Sequence, residues 1–169
     1  MPKLSTQITS SILEICHHWH RVCILGIFAL SVVLSSFTFQ AKPVFAASVP
    51  LSKQPPIVKS IGLGSEAGEL SFIPNRLTFK VGSRYKLVLQ NASPQKHYFT
   101  AKDFADAIWS QKVDAGNVEV KGAIHELELR PGSKADWVFI PLRAGIYSLR
   151  CTIPGHAEAG MVGTIEITA

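Results

Sequence analysis

From Ile57 to Thr168 the chain is a succession of short segments in which apolar and polar residues alternate, each closed by a turn signal. That rhythm constrains the fold more than any other feature. The segments are Ile57–Ile61, Glu69–Ile73, Leu77–Val81, Tyr85–Gln90, His97–Thr100, Ala123–Leu129, Ala135–Ile140, Gly145–Cys151 and Met161–Thr168. Pro74-Asn75, Gly82-Ser83, Asn91–Pro94, Pro131-Gly132 and Pro154-Gly155 punctuate them. Many short strands at this spacing predict an all-β domain, a Greek-key antiparallel β-sandwich or barrel. One stretch departs from the rhythm. Lys102–Gln111 (KDFADAIWSQ) sets Phe104 and Ile108 on one helical face, which predicts a short helix. Within the strands the phase of alternation assigns the core. Tyr85, Leu87 and Leu89 fall together, as do Tyr147, Leu149 and Cys151, and Met161, Gly163, Ile165 and Ile167. Cys151 and Met161 are therefore expected on the core-facing side of adjacent strand ends.

The segment before this rhythm has a different character. Lys3 and Arg21 precede an uncharged apolar run, Val22–Leu34, and small residues Val44 and Ala46 stand at −3 and −1 to a cut after Ala46. Residues 1–46 read as a secretory signal peptide, residues 47–56 as a flexible lead-in and 57–169 as one domain. An uncleaved N-terminal anchor is the alternative, since Val22–Phe39 nearly reaches spanning length. Beyond Ala46 the chain keeps fourteen Lys/Arg against eleven Asp/Glu, one cysteine (Cys151), three histidines (His97, His125, His156) and one methionine (Met161). The small positive surplus is spread out, which speaks against a nucleic-acid partner and for a solvated surface. A lone cysteine cannot staple an exported domain internally, so it reads as either a pairing hazard or a thiol with a task.

That thiol lies in Cys151-Thr-Ile-Pro-Gly-His156-Ala-Glu-Ala-Gly-Met161, with four residues in each gap. The loop carries a thiolate, an imidazole and a thioether, and Pro154, Gly155 and Gly160 let it fold tightly. His97, at the start of a strand, offers a second imidazole. Two histidines, one cysteine and a weak axial methionine suit type 1, or blue, copper: sulfur donors favour Cu(I), and imidazole serves both oxidation states. Zinc fits the set poorly, because it seldom takes a thioether.

The chain resembles the cupredoxins, the plastocyanin/azurin family of small blue copper proteins, over roughly residues 57–169. The resemblance is strongest over Ala144–Gly163 and continues in Phe72-Ile-Pro74, Lys80-Val-Gly82, Leu89-Gln-Asn91 and His97-Tyr-Phe99. It implies that His97, Cys151, His156 and Met161 bind one copper ion and that the Tyr147 hydroxyl braces a loop. The gap pattern is similar to the auracyanin and rusticyanin loops. Tyr98 stands where many family members carry an asparagine that ties the two ligand loops; a backbone N–H to the cysteine sulfur is expected to survive that change.

The function that follows is a non-enzymatic electron carrier cycling Cu(I)/Cu(II) between a donor and an acceptor protein. It is expected to be exported, in a periplasm or thylakoid lumen, monomeric, and free of the membrane once the leader is cut. A binuclear copper domain needs two bridging cysteines, and a copper oxidase or nitrite reductase needs more histidines and domains. A copper carrier or sensor without fast electron transfer is the alternative. His125 alternates with Leu127 and Leu129 and reads as an inward structural residue. Trp109 and Trp137 read as packing residues.

Overall fold

The computed structural model describes residues 49–169; the expected leader, its cleavage site and the alternative anchor lie outside the described residues. Among the described residues no helix is long and apolar enough to cross a membrane. After a 3-10 turn at Leu51–Lys53 come β1 (Ile57–Leu63), β2 (Phe72–Ile73), β3 (Arg76–Lys80), β4 (Tyr85–Gln90) and β5 (His97–Thr100). A one-turn helix α1 (Lys102–Ala105) precedes β6 (Ile108–Ala115), β7 (Val118–Val120), β8 (Glu126–Leu129), β9 (Lys134–Pro141), β10 (Gly145–Arg150) and β11 (Val162–Thr168). The strands form a sandwich of two sheets, ordered β2-β1-β4-β9-β6-β7 and β3-β11-β10-β5-β8.

The all-β sandwich is as the alternation implies, but the sheets are mixed rather than purely antiparallel. β1 runs parallel to β4 and β3 parallel to β11. The chain leaves the first sheet after β2, places β3 in the second sheet and returns to the first as β4. β1 and β4 therefore enter their sheet from the same end. Side-chain alternation has the same period in either direction, so the sequence pattern carries no sign of this.

The expected helix over 102–111 forms only in its first turn, and Ile108–Gln111 belong to β6. Only Lys102–Ala105 is helical; Phe104 packs at 0% exposure and the chain then enters β6. From Ile108 onward the backbone pairs with β9, Ile108 opposite Pro141 and Asp114 opposite Asp136, with an irregularity between Ser110 and Lys112. A long partner strand satisfies eight residues of backbone where a helix of this length is marginal. Trp109 accordingly lies outside the core, 44% exposed, whereas Trp137 is buried and donates its indole N–H to Ser110 Oγ at 2.9 Å. His125 also faces out. It precedes β8 and sets Nε2 2.7 Å from Asp106 Oδ1. That hydrogen bond holds the Asp106 carboxyl below the usual aspartate range. The segment before β1 is tied down by Arg84, whose Nη1 donates to the Gln54 carbonyl at 2.6 Å.

Between the sheets lies an aromatic cluster. Phe79 from β3 meets Tyr85 and Phe139 edge-on at 4.9 and 5.1 Å. Phe104 meets Phe139 and Trp137 at 5.4 and 5.9 Å, and Phe99 reaches Trp137 at 6.0 Å. These rings join β3, β4, β5, β9 and α1 into one block, and β5 and β10 emerge from it at the same end. Phe104→Ala is expected to destabilise the copper-free protein by about 3–5 kcal/mol, since a fully buried ring would leave a cavity between both sheets. Urea unfolding followed by tryptophan fluorescence measures it; a loss below about 1 kcal/mol would mean that α1 is peripheral to the core.

Candidate metal centre

Two parts of the chain converge at one end of the sandwich. β5 opens with His97, whose side chain shares the inward face with Phe99; both are buried. β10 ends at Arg150, and the next residue, Cys151, continues the inward phase at 1% exposure. β5 and β10 are neighbours, joined where Thr100 faces Arg150. Cys151, His97 and His156 thereby meet, with one donor atom of each lying within 4.8 Å of the others. Cys151 Sγ is 3.6 Å from His156 Nδ1, and the two imidazole centroids are 5.1 Å apart.

The loop from Cys151 to Met161 is closed by its own backbone. The Cys151 N–H donates to the Met161 carbonyl at 3.1 Å, and the Met161 N–H donates to the His156 carbonyl at 2.9 Å. The His156 N–H reaches the Ile153 carbonyl at 3.0 Å. Gly160 turns at φ +107°, a conformation that side chains disfavour, and the next residue is Met161 at 0% exposure. The three chemically distinctive residues of the loop are thus fixed to each other by main-chain bonds. Tyr147 donates its hydroxyl to the Arg143 carbonyl at 2.9 Å, bracing the approach to β10 as the resemblance implied.

His97 sits in an unusual setting. It is 0% exposed, yet neither Nδ1 nor Nε2 has a hydrogen-bond partner. Burial, and then the neighbouring His156, push its pKa below the ordinary histidine value, so the ring is held neutral with a lone pair free. One edge of the ring is pressed against Gly64. A Cβ there would lie 2.7 Å from His97 Nε2 and 2.7 Å from the Ser93 Cβ, and Gly64 has φ +73°. The loop before His97 is set by Asn91, buried at 0% exposure. Its Nδ2 donates to the carbonyls of Gln95 (2.7 Å) and Leu129 (2.8 Å), and its Oδ1 accepts from the Ser93 N–H (2.9 Å). The Tyr98 N–H points at Cys151 Sγ at 3.4 Å, so the expected backbone bond to sulfur is present despite the change from asparagine. Sequence reasoning singled out neither Gly64 nor the role of Asn91. The turn signal at Asn91–Pro94 and the family-like Leu89-Gln-Asn91 were the traces of the latter, and nothing in the sequence links Gly64 to His97.

Compared with known families, residues 59–168 match the model of copper binding proteins of the plastocyanin/azurin family. The chain belongs to that family. Its cofactor is therefore copper, and the donors fit it: a buried thiol, a half-buried imidazole and a buried imidazole whose nitrogens lack any other partner. Among solved structures, the cupredoxin fold recurs in the McoA multicopper oxidase of Aquifex aeolicus, with a TM-score of 0.54, 16% identity and coverage of 72% of this chain and 31% of that one. It recurs in the copper-containing nitrite reductase of Thermus scotoductus, with a TM-score of 0.52, 16% identity and coverage of 70% and 32%. Auracyanin from Roseiflexus castenholzii aligns over 69% of this chain and 100% of its own, at 19% identity and a TM-score of 0.49. No curated protein matches the chain in a direct comparison of sequences.

The contact between Gly64 and His97 yields a paired test. Gly68 also has positive φ, +85°, but a Cβ there meets nothing within 4 Å. Gly68→Ala is expected to cost only backbone strain, about 1–2 kcal/mol. Gly64→Ala adds overpacking of a further ~1–3 kcal/mol and displaces the imidazole, so it alone should weaken copper binding in a chelator competition. Equal effects of the two substitutions would show that Gly64 does not set the position of His97.

Proposed function

We propose that the protein is an exported, non-enzymatic electron carrier in which His97, Cys151, His156 and Met161 hold a single type 1 copper ion. One observation supports this reading above the rest. A fully buried imidazole whose nitrogens have no hydrogen-bond partner among the described residues lies beside a buried thiol and a second imidazole, and a metal ion would give its lone-pair nitrogen a partner. When bound, copper supplies a one-electron Cu(II)/Cu(I) couple. The protein's part is to keep the donors in place through that change. The Cys151–Met161 backbone bonds, the Tyr98 N–H on sulfur and the wall at Gly64 limit rearrangement and so limit what each electron transfer must reorganise.

The donors differ in access. His97, Cys151 and Met161 are buried, whereas His156 is half-buried in a rim of exposed Pro154, Gly155, Ala159 and Gly160. That rim is small and largely uncharged, with Glu158 its one charged residue, and it suits brief contact with a donor or acceptor protein. The leader read from residues 1–46 supports export, with the mature chain starting near Ala47 as a monomer.

Protein-film voltammetry tests the reading. A reversible one-electron wave, with fast exchange, is expected of the copper-loaded protein. Met161→Leu should retain the wave and shift it to higher potential, because an apolar side chain donates no electron density to the oxidised ion. An irreversible or very slow wave in the unaltered protein would assign it instead as a copper carrier or sensor. Loss of copper in Met161→Leu would make the methionine a holding ligand and not a tuning one.

A further inference from the structure

On the outer face of the second sheet, one carboxylate oxygen gathers two hydroxyls from the two ligand-bearing parts of the chain. Glu126 Oε2 accepts from Thr100 Oγ1 at 2.7 Å and from Thr152 Oγ1 at 2.8 Å. The two hydroxyl oxygens are 3.2 Å apart. Each hydroxyl has one hydrogen, and with both given to the carboxylate, the oxygens are held together by Glu126 and not by each other. Thr100 is the last residue of β5, the strand that opens with His97, and it lies opposite Glu126 on β8. Thr152 directly follows Cys151 and is the second residue beyond the end of β10. Its hydroxyl is the side-chain tie that carries the start of the metal loop back to the sheet. The neighbouring acid is committed elsewhere: Glu128 pairs with Lys96 and Arg130 and accepts from the Tyr98 hydroxyl. Among the described residues Glu126 has no cationic partner, so its charge is directed at the two hydroxyls.

We infer that Glu126 is a positioning residue for the copper centre, clamping β5 to the residue after Cys151 through Thr100 and Thr152 and so fixing the Tyr98 N–H···Sγ contact. The inference rests on the type 1 copper reading of the site. The Tyr98 amide lies two residues before Thr100 on β5, and its 3.4 Å approach to sulfur depends on the spacing of β5 from Cys151. An N–H on the thiolate draws electron density from it, which weakens its donation to Cu(II) and favours Cu(I). The carboxylate charge acts in the opposite sense, favouring Cu(II). Clamp and charge therefore shift the potential in opposite directions, which separates them experimentally.

Two variants make the test. Thr100→Val/Thr152→Val keeps the charge and removes both donors. It should shift the thiolate-to-copper absorption band, lower the potential and speed copper release to a chelator about tenfold. In the copper-free protein it should also speed hydrogen exchange at the Tyr98 amide without altering exchange in β4 or β9. Glu126→Gln keeps an acceptor oxygen and removes the charge. It should leave the band, the release rate and Tyr98 exchange unchanged and raise the potential. If the double valine variant matches the unaltered protein in band, release and Tyr98 exchange, the clamp does not position the centre. Absence of a thiolate band in the unaltered protein would sink the copper reading, and Tyr98 exchange in the copper-free protein would then decide the clamp by itself.

Discussion

A neutral imidazole buried without a hydrogen-bond partner is a cost that a folded protein seldom carries, and here it lies at the one point where both ligand-bearing segments meet. Neither nitrogen of His97 has a hydrogen-bond partner among the described residues. Leaving such a group unsatisfied costs about 1–3 kcal/mol. The site is tolerated because the surrounding sandwich is stable and because metal binding would turn that cost into affinity. The ring stays fixed because Gly64 walls it on one side and Asn91 sets the loop that leads to it.

The rest of the molecule holds two short stretches of chain at the right separation. The aromatic block of Phe79, Tyr85, Phe99, Phe104, Trp137 and Phe139 locks the sheets together. β5 and β10 are antiparallel neighbours, so the start of one, at His97, and the residue after the end of the other, Cys151, come close together. The loop that follows is closed on itself, since Cys151, His156 and Met161 are joined through their own main-chain groups, while Cys151 and Met161 bury their side chains in the core. The sheet thus places His97, while local main-chain hydrogen bonding joins Cys151, His156 and Met161. In the proposed one-electron role, that division would keep these residues still in both oxidation states.

Much of this was legible in the residues. The alternation in Tyr85–Gln90 and His97–Thr100 marks two strands whose limits match the structure, and the phase of Tyr147, Leu149 and Cys151 places the thiol inward. The spacing of Cys151, His156 and Met161 is read from the sequence, whereas His97 rests on the family resemblance and the inward phase expected of His125 is not what the structure shows. What was not legible depends on contacts between distant residues. The parallel pairing of β1 with β4 leaves no mark on side-chain order. Ile108 fits a helical face with Phe104 as well as it fits β6, and the presence of β9 decides between them. Gly64 is an ordinary loop glycine until folding brings it against His97. Glu126, Thr100 and Thr152 look like surface residues until three neighbouring chain segments bring them together.

The central claim is that Cys151 ligates copper as a thiolate within this preformed cluster. The absorption and electron paramagnetic resonance spectra of the Cu(II)-loaded protein and of Cys151→Ser test it most directly. An intense visible thiolate-to-copper band with a narrow copper hyperfine splitting is expected in the unaltered protein, disappearing on reduction and absent from Cys151→Ser. A band that persists in Cys151→Ser, or a copper-loaded protein that shows no such band, would contradict it.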